Sequence, residues 1–212
     1  MMPNTLLNDS KVVVFDLGGV LVESVGVDVL AARFPHLGAR SAVLERWQRS
    51  QSVVRFEHGR LSPEAFATAF IREWGLELDE PAFLELFGSW VTGFFPGALE
   101  LVQGLRSRHR VACLSNTNAI HWARLPGMEQ IFDHCFVSFR SGLMKPDREA
   151  YTHALTSLGV EPRTVYFFDD LPANIAAARS VGINAFLVRG VAETEARLRA
   201  EGLHFEAVKP KR

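Results

Sequence analysis

The sequence predicts an α/β fold in which a doubly wound parallel sheet carries an inserted helical cap. Two observations predict this class. Short apolar runs alternate with amphipathic stretches along most of the chain, and one long segment shows helical periodicity alone. The runs are apolar at successive positions, as expected of strands that helices cover on both faces of a sheet. Sheets of this kind bind ligands at the carboxyl ends of their strands.

Five runs rich in β-branched and aromatic residues are the predicted strands, and the amphipathic stretches are the predicted helices. The strands are residues 12–15, 111–114, 135–137, 165–168 and 185–188. The helices are residues 98–108, 120–125, 148–158, 173–181 and 193–201. Gly159 and Gly182 follow two of these stretches, where a left-handed residue commonly ends a helix.

Residues 24–94 interrupt this alternation and contain no convincing strand. Ser62 and Asp79 each precede a first turn that contains proline, a pattern typical of helix starts. The segment is several times longer than a usual connection between parallel strands, which favours an inserted cap over an extended crossover helix. The predicted division is therefore a core of residues 1–23 and 95–212 and a cap of residues 24–94.

Composition and charge exclude several classes of function. The 212 residues include 23 Lys and Arg against 24 Asp and Glu, a formal net charge of −1. Dedicated nucleic-acid and membrane-surface binders carry a basic excess, so neither is expected. No apolar stretch is long enough to span a bilayer and no signal-peptide pattern is present, which predicts a cytoplasmic protein. Cys113 and Cys135 match no metal-ligand spacing.

Polar side chains follow the predicted strands at the points where the strands end. They are Asp16 and Gly18, Ser115 and Asn116, Lys145 in a Gly-Leu-Met-Lys-Pro loop, and the adjacent pair Asp169 and Asp170. Each taken alone suits a turn, a helix cap or solvated surface. The strand ends converge in a doubly wound sheet, however, and two adjacent carboxylates are costly without a cation. Together these residues predict one site.

The same segments resemble the four motifs of the haloacid dehalogenase-like hydrolase superfamily, over nearly the whole chain. In that family the motifs supply a nucleophilic Asp, a Ser or Thr, a Lys and an acidic pair. The matching residues here are Asp16, Ser115, Lys145, and Asp169 with Asp170. Family members carry a helical cap after the first motif, which residues 24–94 resemble. The segments LSNTN, GLMKP, FFDD and FEHGRLSPEAF are similar to those of bacterial sugar-phosphate phosphatases of the α-glucose-1-phosphate phosphatase type.

The resemblance implies a Rossmann-like core and phosphoryl transfer, which requires positioning and charge neutralisation from the protein. Asp16 would attack phosphorus and form an aspartyl-phosphate, dividing hydrolysis into two easier steps. Because nucleophile and substrate are both anionic, a divalent cation is needed, and Mg²⁺ suits carboxylate ligands. The expected Mg²⁺ ligands are Asp16, Asp170, the Gly18 backbone carbonyl and Asp169, the last directly or through water. Ser115, the Asn116 backbone N–H and Lys145 are expected to hold the phosphoryl oxygens.

Gly18 departs from the phosphatase pattern, which usually has a second Asp two residues after the nucleophile as general acid and base. Such a group contributes roughly 10²–10⁴-fold in rate. An acidic leaving group, such as the anomeric hydroxyl of a sugar 1-phosphate, would need less protonation. Alternatively another residue donates the proton, and His121, Glu57 and His58 are the candidates. The resemblance favours the acidic leaving group.

Other functions on this scaffold are weaker hypotheses. A 2-haloacid dehalogenase also lacks the second Asp, but it attacks carbon without a metal and has no acidic pair like Asp169 and Asp170. A mutase depends most on the missing Asp. A non-catalytic binding or regulatory protein would have lost several site residues, whereas only one is absent. The sequence therefore predicts a Mg²⁺-dependent phosphatase of a small phosphorylated metabolite, with a sugar 1-phosphate favoured and the oligomeric state open.

Overall fold

The computed structural model describes residues 11–205, so the outermost parts of the predicted core, residues 1–10 and 206–212, lie outside the described residues. The strands are β1 (Val12–Phe15), β2 (Val22–Ser24), β3 (Val91–Phe94), β4 (Arg110–Ser115), β5 (His134–Val137), β6 (Val165–Asp169) and β7 (Asn184–Leu187). Five of them form a parallel sheet in the order β5-β4-β1-β6-β7. After β1 the chain adds β4 and β5 on one side of that strand and then β6 and β7 on the other. This order confirms the doubly wound α/β class.

Helices cover both faces of this sheet and fill the segment between β2 and β3. They are α1 (Gly26–Arg33), α2 (Arg40–Arg49), α3 (Gln51–Glu57), α4 (Pro63–Trp74), α5 (Glu80–Gly88), α6 (Ala98–Arg106), α7 (Ala119–Ala123), α8 (Met128–Ile131), α9 (Ser138–Ser141), α10 (Arg148–Leu158), α11 (Pro172–Ser180) and α12 (Gly190–Ala200). Helix α10 has the predicted bounds, and the other predicted helices are shifted by one to a few residues. The short helices α8 and α9 were not predicted. No helix within residues 11–205 is long and apolar enough to cross a membrane.

The alternation of side chains along β1 explains why its run is apolar throughout. Val13 and Phe15 point into one apolar cluster, which includes Leu101 of α6. Val12 and Val14 belong to a second cluster, which contains residues of α10 and α11. Successive side chains of a strand point to opposite faces, so a strand between two helical layers is apolar at every position. All four residues of β1 are buried.

Strands β2 and β3 form a two-stranded antiparallel sheet, with β2 before the helices α1 to α5 in the chain and β3 after them. The expectation that residues 24–94 contain no strand is wrong. Strand β2 pairs with β3 through Val22 opposite Phe94 and Glu23 opposite Gly93. The hydrogen-bond partners of each strand lie far away in sequence, and β3 contains a glycine, which weakens the local strand pattern. Through this pair the chain leaves and rejoins the parallel sheet at one place.

Helices α1 to α5, called the helical segment below (residues 26–88), enclose an aromatic cluster of their own. Its fully buried rings include Phe66, Phe70, Phe83 and Trp74. The predicted helix starts are confirmed, since Ser62 accepts a hydrogen bond from the Ala65 N–H and Asp79 accepts one from the Ala82 N–H. The proposed boundary between core and cap stays a prediction.

We expect Phe66→Ala to lower the free energy of unfolding by about 3–5 kcal/mol, because the substitution leaves a cavity in a closed core. The Phe66 ring is fully buried and lies 4.2 Å from the Phe56 ring and 4.8 Å from the Phe87 ring, centroid to centroid. Urea denaturation followed by circular dichroism measures the loss. Leu99→Ala, at a residue 42% exposed, is the control and should change stability by less than ~0.5 kcal/mol. Equal losses in the two variants would contradict the prediction.

Candidate active site

The carboxyl ends of three adjacent strands bring the predicted site residues to one edge of the sheet. Asp16 follows β1, and its backbone N–H donates to the carbonyl of Phe168 in β6, 2.8 Å away. Ser115 ends β4 on one side of β1, and Asp169 ends β6 on the other side. The chain order reverses at β1, which opens a crevice at this edge of a doubly wound sheet.

Lys145 joins two of these carboxylates through a buried ammonium group. Its Nζ lies 2.8 Å from Asp16 Oδ1 and 2.7 Å from Asp169 Oδ2, and the residue is 4% exposed. Burial opposes the charge on Lys145, but Asp16 and Asp169 raise the pKa of the ammonium above its ordinary value. A buried ammonium with two carboxylate partners stays charged, so Lys145 supplies a permanent positive charge beside Asp16.

The side chain of Asn116 holds the backbone of Lys145 in place. Its Nδ2 donates to the Lys145 carbonyl at 2.8 Å, and the Lys145 N–H donates to Asn116 Oδ1 at 2.9 Å. The sequence predicts a role for the backbone N–H of Asn116 but does not reveal this use of its side chain. No local pattern reveals the pair, because the two residues lie 29 positions apart.

Asp169 is the most completely satisfied carboxylate of the site. It accepts the Lys145 contact, a hydrogen bond from the Leu171 N–H at 2.8 Å, and contacts of 3.0 Å from Asn174 Nδ2 to both oxygens. The Asn174 carbonyl accepts in turn from the Tyr151 hydroxyl at 3.0 Å. A carboxylate offers about four lone-pair sites, and these contacts leave little of that capacity for a directly bound metal ion. Asp169 is thereby fixed in position and fully buried.

Three carboxylates at this edge form a site that suits a divalent cation. Oxygen atoms of Asp16, Asp169 and Asp170 lie within 4.8 Å of one another. Burial raises the pKa of Asp16 to about 7, with Lys145 opposing the rise and Asp169 adding to it. Burial and the charge of Asp169 also raise the pKa of Asp170. One ammonium cannot balance three carboxylates, and an all-oxygen donor set fits Mg²⁺.

The two glycines after Asp16 differ in what the backbone requires of them. Gly19 has a φ of +73°, and a Cβ there would lie 2.6 Å from Asp170 Oδ2, so only glycine fits. Gly18 lies outside the left-handed region, and a Cβ built on it meets no atom of residues 11–205 within 4 Å. Because Gly18 has no side chain, open space remains beside the carboxylates, and the backbone does not require a glycine at this position.

A cavity of about 180 Å³ lies between this edge of the sheet and the helical segment. Core residues that line it include Gly18, Ser115 and Asn116, and residues from the other side include Trp47, Glu57 and Trp90. The Trp90 indole N–H is buried and has no hydrogen-bond acceptor among residues 11–205. The cavity thus places aromatic and polar groups beside Gly18, Ser115 and Asn116, as in a concave site for a small molecule.

A family model described as haloacid dehalogenase-like hydrolase matches residues 10–182. This chain belongs to that family. It is 29% identical over 191 residues to the D-ribitol-5-phosphate phosphatase of Bacteroides thetaiotaomicron, covering 83% of this chain and 90% of the relative. It is also 29% identical over 182 residues to the validoxylamine A 7'-phosphate phosphatase of Streptomyces hygroscopicus subsp. limoneus, covering 82% and 83%.

A solved structure with the same fold is a haloacid dehalogenase family enzyme from B. thetaiotaomicron in complex with magnesium and inorganic phosphate. The TM-score is 0.70 at 23% identity, over 85% of this chain and 94% of that one. The family match confirms the hydrolase class that the motifs indicated, and the two relatives described above are phosphatases. At this identity the structural likeness shows the fold.

Two of the three candidate proton donors in this hydrolase are hydrogen-bonded to other groups, and one of these two also lies away from the cavity. His121 donates from Nε2 to the Phe87 carbonyl at 2.9 Å and accepts at Nδ1 from Asn118 Nδ2 at 3.1 Å. Burial lowers the pKa of His121 to about 4, so the ring is neutral. His58 donates from Nδ1 to the Val54 carbonyl and lies outside the cavity lining. Glu57 lines the cavity.

We expect Lys145→Met to lower the free energy of unfolding by about 3–5 kcal/mol at pH 7, because Asp16 and Asp169 lose their buried counter-charge. The measurement is urea denaturation in metal-free buffer. Arg49→Met is the control: Arg49 is 78% exposed and pairs with Glu45 at 3.0 Å, so its loss should cost less than about 1 kcal/mol. A Lys145 variant as stable as the Arg49 variant would contradict the buried ion pairs.

The glycine pair provides a second test. We expect Gly19→Ala to lower the free energy of unfolding by more than ~1 kcal/mol, because it forces a left-handed residue against Asp170. Gly18→Ala should change it by less than ~0.5 kcal/mol, because its Cβ enters open space. Chemical denaturation of both variants measures the difference. Two variants of equal stability would show that the loop does not hold Gly19 against Asp170.

Proposed function

We propose that this protein is a Mg²⁺-dependent phosphomonoester hydrolase that acts on small sugar phosphates through an aspartyl-phosphate. The observation that carries the proposal is the cluster of Asp16, Asp169 and Asp170 within 4.8 Å, next to the buried ammonium of Lys145. Mg²⁺ would be held by Asp16, Asp170 and the Gly18 carbonyl. When bound, Mg²⁺ offsets the negative charges of nucleophile and phosphoryl group.

The other residues have roles that follow from their contacts. Asp16 would attack phosphorus, with Lys145 keeping its carboxylate oriented and Asn116 holding the Lys145 backbone. Ser115, the Asn116 N–H and Lys145 would bind phosphoryl oxygens as their charge develops. The four contacts on Asp169 favour an indirect role, in which it orients Lys145 and reaches the metal through water.

The carboxylate cluster also argues against the metal-independent dehalogenase. A dehalogenase nucleophile attacks carbon and gains nothing from two further carboxylates at its side, which raise the cost of its charged form. A non-catalytic binding protein has no need for a nucleophile held by a buried ammonium. The contacts around Asp16 therefore support the phosphatase over both alternatives.

We favour a small polyhydroxylated substrate for this cavity, whose lining combines the polar residues Glu57, Ser115 and Asn116 with tryptophan side chains. The relatives that act on D-ribitol 5-phosphate and validoxylamine A 7'-phosphate support the same class. A preference for sugar 1-phosphates rests on the absent side chain of Gly18 and stays a prediction, as does a cytoplasmic location.

The first experiment is turnover of p-nitrophenyl phosphate, whose phenolate leaves without protonation. We expect Mg²⁺-dependent release that EDTA abolishes, and a loss on the order of 10³–10⁶-fold in Asp16→Asn because the nucleophile is removed. Asp28→Asn, at an exposed residue of α1 paired with Arg40, is the matched control and should retain activity.

A panel of glucose 1-phosphate, glucose 6-phosphate and ribitol 5-phosphate then defines the substrate class by kcat/KM. Failure on this panel and on p-nitrophenyl phosphate in the presence of Mg²⁺ would contradict the proposed function. Activity that survives in Asp16→Asn would contradict the aspartyl-phosphate.

A further inference from the structure

We propose that Glu57 is the general acid and base of this enzyme, supplied by the helical segment in the place of the carboxylate that Gly18 lacks. The assignment rests on the proposed phosphatase function. It concerns a step for which the core residues supply no group, namely proton transfer to the oxygen of the leaving group.

The position of Glu57 is the first argument. It is the last residue of α3 and lines the cavity together with Gly18 and Ser115. Within residues 11–205 its carboxyl forms no hydrogen bond or ion pair, and the charged groups that influence it are Asp16 and Lys145. The residue is half-buried at the cavity wall. An unpaired carboxyl there, beside Gly18 and Ser115, is placed to contact the leaving group of a substrate.

The turn after Glu57 is docked directly on the core. Gly59 has a φ of +70°, and a Cβ there would lie 2.2 Å from the carbonyl oxygen of Phe139 in α9. Its N–H donates to the Phe56 carbonyl, and the Arg60 N–H donates to the Arg55 carbonyl, both at 2.9 Å. The two hydrogen bonds close the end of α3, and the close approach of Gly59 to Phe139 sets this turn against the core, so Glu57 lies beside a packed turn and not on a loose loop.

The charges around Glu57 favour its acid form. Burial raises the pKa of Glu57 to about 7, with Asp16 adding to the rise and Lys145 opposing it. His121 also faces the cavity, but its ring is neutral because burial lowers its pKa to about 4. At neutral pH a large fraction of Glu57 is therefore protonated, as a general acid requires.

The two half-reactions balance with Glu57 as the proton carrier. Asp16 Oδ attacks phosphorus, the bond from phosphorus to the leaving oxygen breaks, and the Glu57 proton moves to that oxygen to give the free alcohol. The Glu57 carboxylate then takes a proton from water while the hydroxide attacks phosphorus and the bond to Asp16 breaks. Phosphate leaves, Asp16 is ionised and Glu57 is protonated again.

The test compares leaving groups in Glu57→Gln, which is close in shape to the protonated acid. For the fastest primary-alcohol phosphate of the panel, kcat/KM should fall roughly 10²–10⁴-fold, because the alkoxide needs a proton. For p-nitrophenyl phosphate it should fall less than ~10-fold, because the phenolate leaves unaided. Glu77→Gln, at an exposed residue between α4 and α5, is the matched control and should change neither value.

Two further readouts separate catalysis from structure. With p-nitrophenyl phosphate, Glu57→Gln should show a burst of about one phenolate per active site, since the aspartyl-phosphate forms but water is no longer activated. Adding Gly18→Asp to Glu57→Gln should restore activity on the alcohol phosphate, because the new side chain enters the open space beside the carboxylates.

The wild-type enzyme gives a test that is independent of any variant. The ratio of kcat/KM for the alcohol phosphate to that for p-nitrophenyl phosphate should fall as the pH rises through about 7, because Glu57 loses its proton. The ratio cancels the ionisation of Asp16, which both substrates require.

Three outcomes would each overturn the assignment: equal losses on both substrates in Glu57→Gln, no loss on either substrate in that variant, and a wild type that cleaves no primary-alcohol phosphate. These outcomes leave the proposed function intact as long as Asp16→Asn abolishes turnover of p-nitrophenyl phosphate. A wild type inactive on every phosphate would instead overturn the proposed function.

Discussion

Repulsion among three carboxylates at the end of one sheet is the constraint on which the rest of this site depends. Asp16, Asp169 and Asp170 lie within 4.8 Å of one another, and Asp16 and Asp169 are almost completely buried. The protein offsets part of the charge with Lys145. It fixes that ammonium indirectly, because Asn116 holds the Lys145 backbone, and the remaining negative charge is what fits a divalent cation.

The helical segment completes the site without contributing to the carboxylate cluster. Its aromatic core packs the segment internally, and the segment contacts the α/β core through residues of α7 and α9. Gly59 lies against the Phe139 carbonyl, and Phe87 stacks on His121 with ring centroids 4.2 Å apart. A segment that is internally packed and docked in this way can place a side chain such as Glu57 at the cavity wall beside Gly18 and Ser115 with little freedom to move.

The sequence pattern predicted most of the fold and all the strand-end residues of the site, but not how they contact one another. The run 12–15 is β1 without adjustment, because burial on both faces leaves a clear local signal. Strands β2 and β3 were missed because each is stabilised by a partner far away in the chain. The contact by which Asn116 holds the Lys145 backbone was missed for the same reason, since the two residues lie 29 positions apart.

By itself the sequence determined the fold class, the hydrolase family and the residue types at the strand ends, because periodic burial and motif spacing are local properties of the chain. Only the tertiary structure distinguished Glu57, His58 and His121, which all suit proton transfer by residue type. The three differ in their hydrogen-bond partners: His121 is bonded at both ring nitrogens and His58 is bonded to its own helix, whereas the Glu57 carboxyl lines the cavity without a partner among residues 11–205. Such partners are set by packing between distant segments, which a local pattern does not encode.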